Sequence, residues 1–305
     1  MKVLHSRRIW CKTSFEMKYF FITTEHLEDS LWFRDMEDFK AGMNLVALLA
    51  TTLNISILSF ILMSNHVHFV LIGSYEEAQR FINLLKQYHS RYLWKKYGIK
   101  ETLQGIGVDI QEIELSDESI EKVIAYTQMN SVAANICTFP ADYPWGSGSC
   151  FFRVKPVKGT PIRQLSGREQ ARILRTRKKV PKHLLLSDDG YILPESYVSV
   201  KFVEGLFQTP KRMQYFLQNS SKAKKRLARS EEGLPAFRDQ VVVAAIPDLC
   251  HSLFQCRSVE GLKEPQLAEL FRQIRFRFSA DVNQIARAAG FPYEKVARLL
   301  EEFHA

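Results

Sequence analysis

The chain has few cysteines, and their arrangement does not suit a cross-linked or zinc-bound unit. There are five, an odd number, and no two of them form a Cys-x-x-Cys pair. Disulfide frameworks and zinc ribbons need an even number or closely spaced pairs, so both classes are excluded. Cys250 and Cys256 lie near His251 at a spacing that fits no common metal site. We expect both to be packed thiols.

The sequence also lacks a long apolar run, an internal repeat and a long low-complexity segment. Its apolar stretches are too short, and too polar at their flanks, for a signal peptide or a membrane span. A chain of 305 residues with 46% hydrophobic and 25% charged residues is typical of a globular protein with room for two domains. We therefore expect a cytoplasmic protein without a membrane partner. A homodimer is compatible with the sequence, which does not specify an oligomeric state.

Positive charge is concentrated in the second half of the chain. Residues 1–150 contain 14 lysines and arginines against 17 aspartates and glutamates, whereas residues 151–305 contain 28 against 16. From residue 153 to residue 182 the only acidic residue is Glu169. Such a stripe would bind phosphates through counterion release without reading bases, although a solvated basic surface is the alternative. The residues expected to contact DNA here are Arg153, Lys155, Lys158, Arg172, Arg175, Arg177, Lys178 and Lys179.

His66-Val67-His68 lies within the apolar run from Phe60 to Ile72 and is the most informative short motif. The run predicts two strands joined at Ser64-Asn65. Side chains alternate along a strand, so both imidazoles should project from one face while Val67 packs on the other. Two imidazoles on one face can supply half of a divalent-metal site. The alternative is a pair of partly exposed histidines on an open sheet face.

A second candidate site is Tyr126-Thr-Gln-Met-Asn130. Residues 115–118 predict a helix start with a Ser or Asp cap, and Ile120, Val123 and Ile124 recur at helical spacing, so the helix should run through Asn130. Tyr126 and Asn130 then share a helix face and can bring a nucleophilic oxygen and a metal-binding oxygen to one ion. The alternative is a tyrosine packed at a helix edge.

The order of the predicted elements indicates an α+β fold with a ferredoxin-like antiparallel sheet and covering helices, followed by a mainly helical domain. The sheet should present both histidines on its open face. We predict an arm over 1–17, a catalytic domain over 18–152, a basic connector over 153–193 and a helical domain over 194–305. The expected elements of the first domain are strand Lys18–Thr24, helix Asp35–Leu53, two strands through Ile72, helix Glu76–Tyr97, strand Val108–Leu115 and the Tyr126 helix.

Together these pieces resemble the HUH single-tyrosine transposases, and among them the REP-associated tyrosine transposases. The matching segments are Met63–Val70, Tyr126–Ile136 and Ala141–Ser147, in the family's order and spacing. The resemblance implies that His66, His68 and Asn130 hold magnesium or manganese and that Tyr126 attacks a DNA phosphodiester. It also implies single-stranded or hairpin DNA as the partner and a covalent 5′-phosphotyrosine intermediate.

Several positions depart from the family pattern. Ser64 and Ser131 stand where proline is common, Asn135 stands where glycine is usual, and the segment Leu103–Ile106 lacks the arginine that often follows its glycine. No catalytic group is removed, but a DNA contact could be missing. Two functions therefore remain open. One is a metal-dependent DNA nicking and strand-transfer enzyme, and the other is a DNA-binding regulator that has lost cleavage.

The carboxyl end predicts three helices, over Leu267–Phe276, Asp281–Gly290 and Pro292–Phe303. The small residue Ala286 and the turn residue Gly290 resemble a helix-turn-helix over about 267–303, with a plain bundle end as the alternative. Lys295 and Arg298 would then face DNA. With the basic stripe they place DNA affinity in the second half, so a fragment ending near Phe152 is expected to fold and bind metal but to bind DNA weakly.

Overall fold

The computed structural model describes residues 17–24, 31–99, 103–115, 118–134, 136–176, 180–220, 239–278 and 280–302. The predicted arm lies outside these residues except for Met17. The sheet strands are β1 Lys18–Thr24, β2 Ser56–Leu62, β3 Val67–Gly73 and β4 Val108–Glu112; the first helices are α1 Met36–Thr52, α2 Tyr75–Tyr97, α3 Ser119–Gln128 and α4 Asn130–Ala133. Further along lie the short strands β5 Thr160–Pro161 and β6 Leu185–Leu186 and helices α5 Gly167–Leu174, α6 Val200–Phe207, α7 Pro210–Asn219, α8 Asp239–Phe254, α9 Glu264–Phe278, α10 Val282–Ala289 and α11 Tyr293–Glu302.

The four long strands form an antiparallel sheet in the order β2-β3-β1-β4. With α1 and α2 as the two crossover helices, this is the predicted ferredoxin-like arrangement, and the fold class is confirmed. Both crossover helices begin where the sequence supplies a cap. The Asp35 side chain accepts a hydrogen bond from the Asp38 amide, and Ser74 accepts one from Glu77.

Strand alternation gives the sheet two different faces. Phe20, Ile22 and Phe69 point toward the α1 and α2 layer, where the Phe69 ring meets Phe81 of α2 at a centroid distance of 4.9 Å. Phe21 and His68 point the other way. Because helix α3 packs on that second face, against β2 and β3, both sides of the sheet are covered.

The segment after α4 closes the β2 edge of the sheet. Leu62 donates its amide hydrogen to the Trp145 carbonyl (2.8 Å), and the Ser147 amide donates to the Phe60 carbonyl (3.0 Å). A Cβ at Gly146 would lie 2.8 Å from the Phe60 carbonyl oxygen, so only glycine allows this approach. An edge strand that would otherwise expose its backbone is thereby paired.

Helices α6 and α7 belong to the core of the sheet. Val203, Phe207 and Phe216 are buried in the same apolar cluster as the strands. Helices α8 to α11 form a second cluster around Leu249, Phe271 and other residues. These two apolar clusters do not define domain boundaries. The predicted boundaries, including the one at residue 194, remain predictions.

The carboxyl-terminal helices have the predicted order. Asp281 caps α10 through the Gln284 amide, and Gly290 ends it with a φ of +73°, a conformation that favours glycine. Val296, Leu299 and Leu300 of α11 are buried, as the sequence predicts. In the parts of the chain that the structure describes, no helix is long and apolar enough to cross a membrane.

Three local predictions are wrong. Strand β4 ends at Glu112 rather than Leu115. The Tyr126 helix does not run through Asn130, because it ends at Gln128 and α4 starts after a turn at Met129. The N-cap of α3 is Glu118, in a left-handed conformation and without a capping side-chain hydrogen bond, rather than a serine or aspartate. The expected cap residues, 116 and 117, lie outside the described residues.

Candidate active site

The turn before β3 fixes the position of the histidine motif. The Trp32 amide donates to the Ser64 carbonyl (2.8 Å), and the Met63 amide donates to the His66 carbonyl (2.9 Å). The Val67 amide donates to the Thr24 hydroxyl at 3.0 Å. Val67 itself is fully buried in the core. These hydrogen bonds and the buried Val67 side chain therefore fix the turn to the core.

The two imidazoles lie next to each other. Their ring centroids are 4.9 Å apart and the ring planes are nearly perpendicular. His66 Nδ1 lies 2.7 Å from Asn65 Oδ1. A carboxamide oxygen can only accept, so Nδ1 carries the proton and Nε2 has the lone pair that a metal would need.

Tyr126 of α3 lies beside His68. Its ring centroid is 6.0 Å from that of His68 and 5.8 Å from that of Phe21, edge-on to both. Phe21 also stacks on His68 at 5.6 Å, so three rings orient one another. Tyr126 is half-buried, and this burial raises the pKa of its phenol. The phenol is therefore protonated at neutral pH before any further group acts on it.

Asn130 follows the turn that ends α3. Its amide nitrogen donates to the carbonyl oxygens of Tyr126 and Thr127, both at 3.0 Å. These carbonyls belong to the last turn of the helix, where intrahelical partners run out. The nitrogen is thus engaged in ending the helix, and the oxygen is the part of this side chain with metal-binding chemistry.

The histidine face of the sheet is not open, contrary to the prediction. His66 is 5% exposed and His68 is 2% exposed, since α3 and its neighbours cover them. The physical reason is the apolar character of the second face, where Phe21 and its neighbours need a covering layer. Strand alternation places side chains on a face but does not say whether another element covers that face.

The donor set is suited to a divalent ion with open coordination positions. Two imidazole nitrogens, with the carboxamide oxygen of Asn130 that the resemblance implies, would leave room for water or phosphate oxygens. The contact with Asn65 assigns the Nδ1 proton of His66 and leaves Nε2 for a metal ion. Within the described ranges no group of three histidine, cysteine, aspartate or glutamate side chains gathers around one point.

The basic stripe is divided between two places. Arg153 is ion-paired with Glu195 at 2.7 Å. Lys155 and Lys158 are exposed nearby. Arg172 and Arg175 lie at the carboxyl end of α5, beside α2. The predicted DNA contacts Arg177, Lys178 and Lys179 lie outside the described residues.

The predicted DNA contacts of the last helix have neighbours within the protein. The Lys295 amine lies 4.9 Å from the Phe291 ring centroid. Arg298 is exposed and forms an ion pair with Glu264 at 2.7 Å. The helix-turn-helix assignment and the DNA role of both residues stay predictions.

Sequence reasoning missed two residues of the site. The sequence predicts only a turn at Asn65, yet its side chain orients His66. Phe21 was not singled out, yet it contacts both His68 and Tyr126. Strand alternation could have found Phe21, because it shares a sheet face with Thr23, which pairs with His68.

Comparison with known proteins identifies part of the chain. Residues 13–108 match the family model described as Transposase IS200 like; the match includes both histidines and ends before Tyr126. No curated protein matches the chain significantly. A solved structure of a REP-associated tyrosine transposase bound to a REP hairpin is 12% identical, with a TM-score of 0.34, over 48% of this chain and 82% of that chain. A similarity of this size does not bear on the chemistry. The family match shows that the amino-terminal part of this chain contains an IS200-like transposase domain.

Proposed function

We propose that the protein nicks and rejoins single-stranded or hairpin DNA, with Tyr126 as the nucleophile and a covalent 5′-phosphotyrosine intermediate. The observation that carries this proposal is the 6.0 Å separation between the Tyr126 and His68 rings. These residues come from different elements, and the family match includes only the histidine. A phenol beside two imidazoles on a transposase sheet supports nucleophilic attack on phosphate.

The reaction balances without a nucleotide cofactor. Tyr126 Oη forms a bond to the phosphorus, the bond from phosphorus to the 3′ oxygen breaks, and that oxygen leaves as a 3′ hydroxyl. The phenol proton passes to solvent or to the leaving oxygen. Rejoining is the reverse step with a 3′ hydroxyl as nucleophile, so the phosphotyrosine bond retains the energy of the cleaved bond.

His66, His68 and Asn130 would hold magnesium or manganese. When bound, such an ion supplies charge stabilisation at the scissile phosphate. The contacts of Phe21 and His68 with the Tyr126 ring limit its motion, and this keeps the nucleophile in one orientation. Burial raises the Tyr126 pKa, so the phenol needs a metal ion or a nearby base to act as a nucleophile at neutral pH.

A DNA-binding regulator without cleavage is the second candidate. The 2% exposure of His68 favours it, because a phosphate cannot reach the imidazole unless α3 or a neighbour moves. In either case we assign DNA affinity mainly to the basic stripe over residues 153–182, and sequence preference to Lys295 and Arg298 if α11 enters a major groove.

A nicking assay separates the two candidates. Labelled hairpin DNA is incubated with the protein and manganese, and cleavage is followed on a denaturing gel. We expect wild type to cleave and His68→Gln to lose cleavage while still binding DNA, since the amide cannot replace the imidazole as a nitrogen ligand. His183→Gln changes an exposed histidine and is the matched control. Binding without cleavage by folded, metal-supplied wild type would establish the regulator instead.

A further inference from the structure

A large groove lies on the outer surface of the α1 and α2 layer. It has a volume of 1140 Å³ and runs between the two helices, with α5 and the residues that follow it as a third wall. Phe81 shows that α2 packs on the sheet face opposite His68 and Tyr126. The groove is therefore separate from the candidate active site, with the sheet between them.

The groove combines an apolar floor with aromatic rings. Ala41, Leu45 and Leu48 of α1 are partly buried along it, and Tyr88 and Tyr92 of α2 form part of its wall. The Tyr92 hydroxyl donates to Asp38 Oδ1 at 2.7 Å, which fixes the orientation of its ring. A flat, partly apolar ligand would find both contact area and preset rings here.

Four cations surround these rings. Arg91 and Lys95 come from α2, and Arg172 and Arg175 from the end of α5. The Arg175 guanidinium lies 4.4 Å from the Tyr92 ring centroid, and that of Arg91 lies 5.6 Å from Tyr88. Guanidinium and phenol planes placed in this way can extend a stack to a nucleic-acid base.

Other cations pair with the acidic residues of α1 near this rim, and Glu169 of α5 interacts electrostatically with Arg172. Lys96 is bound to Asp35 at 2.5 Å and to Asp38 at 2.7 Å, and Glu37 is paired with Lys40 at 3.0 Å. By contrast, Arg91, Lys95, Arg172 and Arg175 form no ion pair with any carboxylate in the ranges that the structure describes. The lining residues of the groove therefore carry a net positive charge.

We propose that this groove binds a few nucleotides of single-stranded DNA, with bases stacked on Tyr88, Tyr92 and the two guanidinium planes and with phosphates on the four cations. The choice of DNA rests on the proposed function, whereas the chemistry of the groove selects a polyanion with flat apolar faces. Strand bound here would be held on the side of the sheet away from Tyr126, so the groove anchors DNA and does not react with it.

Fluorescence anisotropy with a labelled unstructured oligonucleotide of about a dozen nucleotides tests the proposal on the full chain. We expect Arg91→Glu with Arg172→Glu to weaken binding at least tenfold. The slope of log affinity against log salt should become shallower by about 1.4, since each lost single-strand phosphate contact removes about 0.7. The matched control is Arg257→Glu with Lys263→Glu, two exposed cations between α8 and α9. Equal weakening in both double variants, or no weakening in the groove variant, would overturn the proposal.

Photocrosslinking avoids dependence on the folding of variants. An oligonucleotide carrying 5-iodouracil is irradiated with wild type, and crosslinked peptides are identified by mass spectrometry. We expect crosslinks at Tyr88 or Tyr92; crosslinks confined to other elements would contradict the proposal. The same experiment separates failure of the groove proposal from failure of the proposed function. A protein that crosslinks at α2 but never cleaves DNA would support the groove as a DNA-binding site and contradict the nicking activity.

Discussion

At the scale of single residues, burial changes what the histidines contribute. His66 and His68 would add little to stability on an open sheet face, but beneath α3 they are part of the packing between layers. His68 contacts Phe21 and Tyr126, so its replacement by a small residue would leave a cavity as well as remove a ligand. Variants of similar volume are therefore the informative ones.

His89 is a buried histidine on the other side of the sheet, and it predicts a pH dependence of stability. Burial lowers its pKa from 6.5 to about 4, and its Nε2 lies 2.6 Å from the Trp32 carbonyl oxygen. The folded state thus takes up this proton less readily than the unfolded state. The stability that results is present above the unfolded pKa and is lost as the pH falls from that value toward the folded one.

We expect His89→Gln, which can still donate to Trp32, to lose less stability than wild type between pH 7 and pH 4.5. The difference between the two proteins should be about 2 kcal/mol in unfolding free energy, from a pKa shift of this size. Urea unfolding at both pH values measures it. Equal losses in the two proteins would show that His89 does not govern this part of the acid response.

At the scale of elements, the end of α3 is set by a side chain rather than by helix propensity. Asn130 donates to two carbonyls of the last turn, at Tyr126 and Thr127. These bonds add a side-chain donor at the buried end of the helix, where intrahelical donors run out. Asn130 therefore has a structural task that does not depend on any metal.

We expect Asn130→Ala to lower the unfolding free energy by about 1–3 kcal/mol in metal-free buffer, because two carbonyls at the helix end lose a side-chain donor. Asn83→Ala, at an exposed position of α2, is the control and should change stability by less than about 0.5 kcal/mol. Thermal or urea unfolding measures both. If Asn130→Ala is as stable as wild type without metal, the hydrogen bonds to the helix end contribute nothing and Asn130 has only a ligand role.

Elements that depend on local signals were predictable from the sequence. Strand Lys18–Thr24 has the predicted bounds. Asp35 and Leu53, predicted as the first and last residues of α1, are its N-cap and C-cap. The alternation of side chains along a strand predicts that His66 and His68 lie close together on one side of the sheet, as observed. The resemblance to the transposase family predicts Tyr126 next to them, and its ring contacts that of His68.

Features that depend on contacts between distant segments were not predictable. The cover over the histidine face arises from the packing of α3 on the sheet. The groove needs α5 to meet α1 and α2, and no local pattern specifies that meeting.

At the scale of the whole molecule, the predicted catalytic fragment is not a complete core. Val203, Phe207 and Phe216 from α6 and α7 are buried in the same apolar cluster as the sheet. Burial of each side chain contributes about 1.5–3 kcal/mol to the stability of the fold, and a fragment without α6 and α7 lacks that contribution. That loss is comparable with the total stability of a domain. The expectation that a fragment ending near Phe152 folds is therefore revised.

We expect fragment 1–152 to show no cooperative unfolding transition and fragment 1–220 to show one. Circular dichroism during urea titration compares them. A cooperative transition of similar midpoint in both fragments would mean that α6 and α7 are dispensable for the core.

The carboxyl-terminal helices contact the sheet domain at the turn that carries the histidine motif. The Ser64 hydroxyl donates to the Arg277 carbonyl at 2.9 Å, and the Arg277 guanidinium donates to the Arg34 carbonyl at 3.1 Å. Tyr143 stacks on Phe276 at 5.5 Å. The second half therefore contributes to the position of the candidate active site.

The most direct test of the proposed activity is to locate the covalent bond. The full chain is incubated with hairpin DNA and manganese, digested with protease and nuclease, and examined by tandem mass spectrometry. We predict a nucleotide adduct on Tyr126, joined through a 5′ phosphate, and its loss in Tyr126→Phe with DNA affinity near that of wild type. An adduct on Tyr88 or Tyr92, or none from folded, metal-supplied wild type that binds the DNA, would contradict the assignment of Tyr126 as the nucleophile.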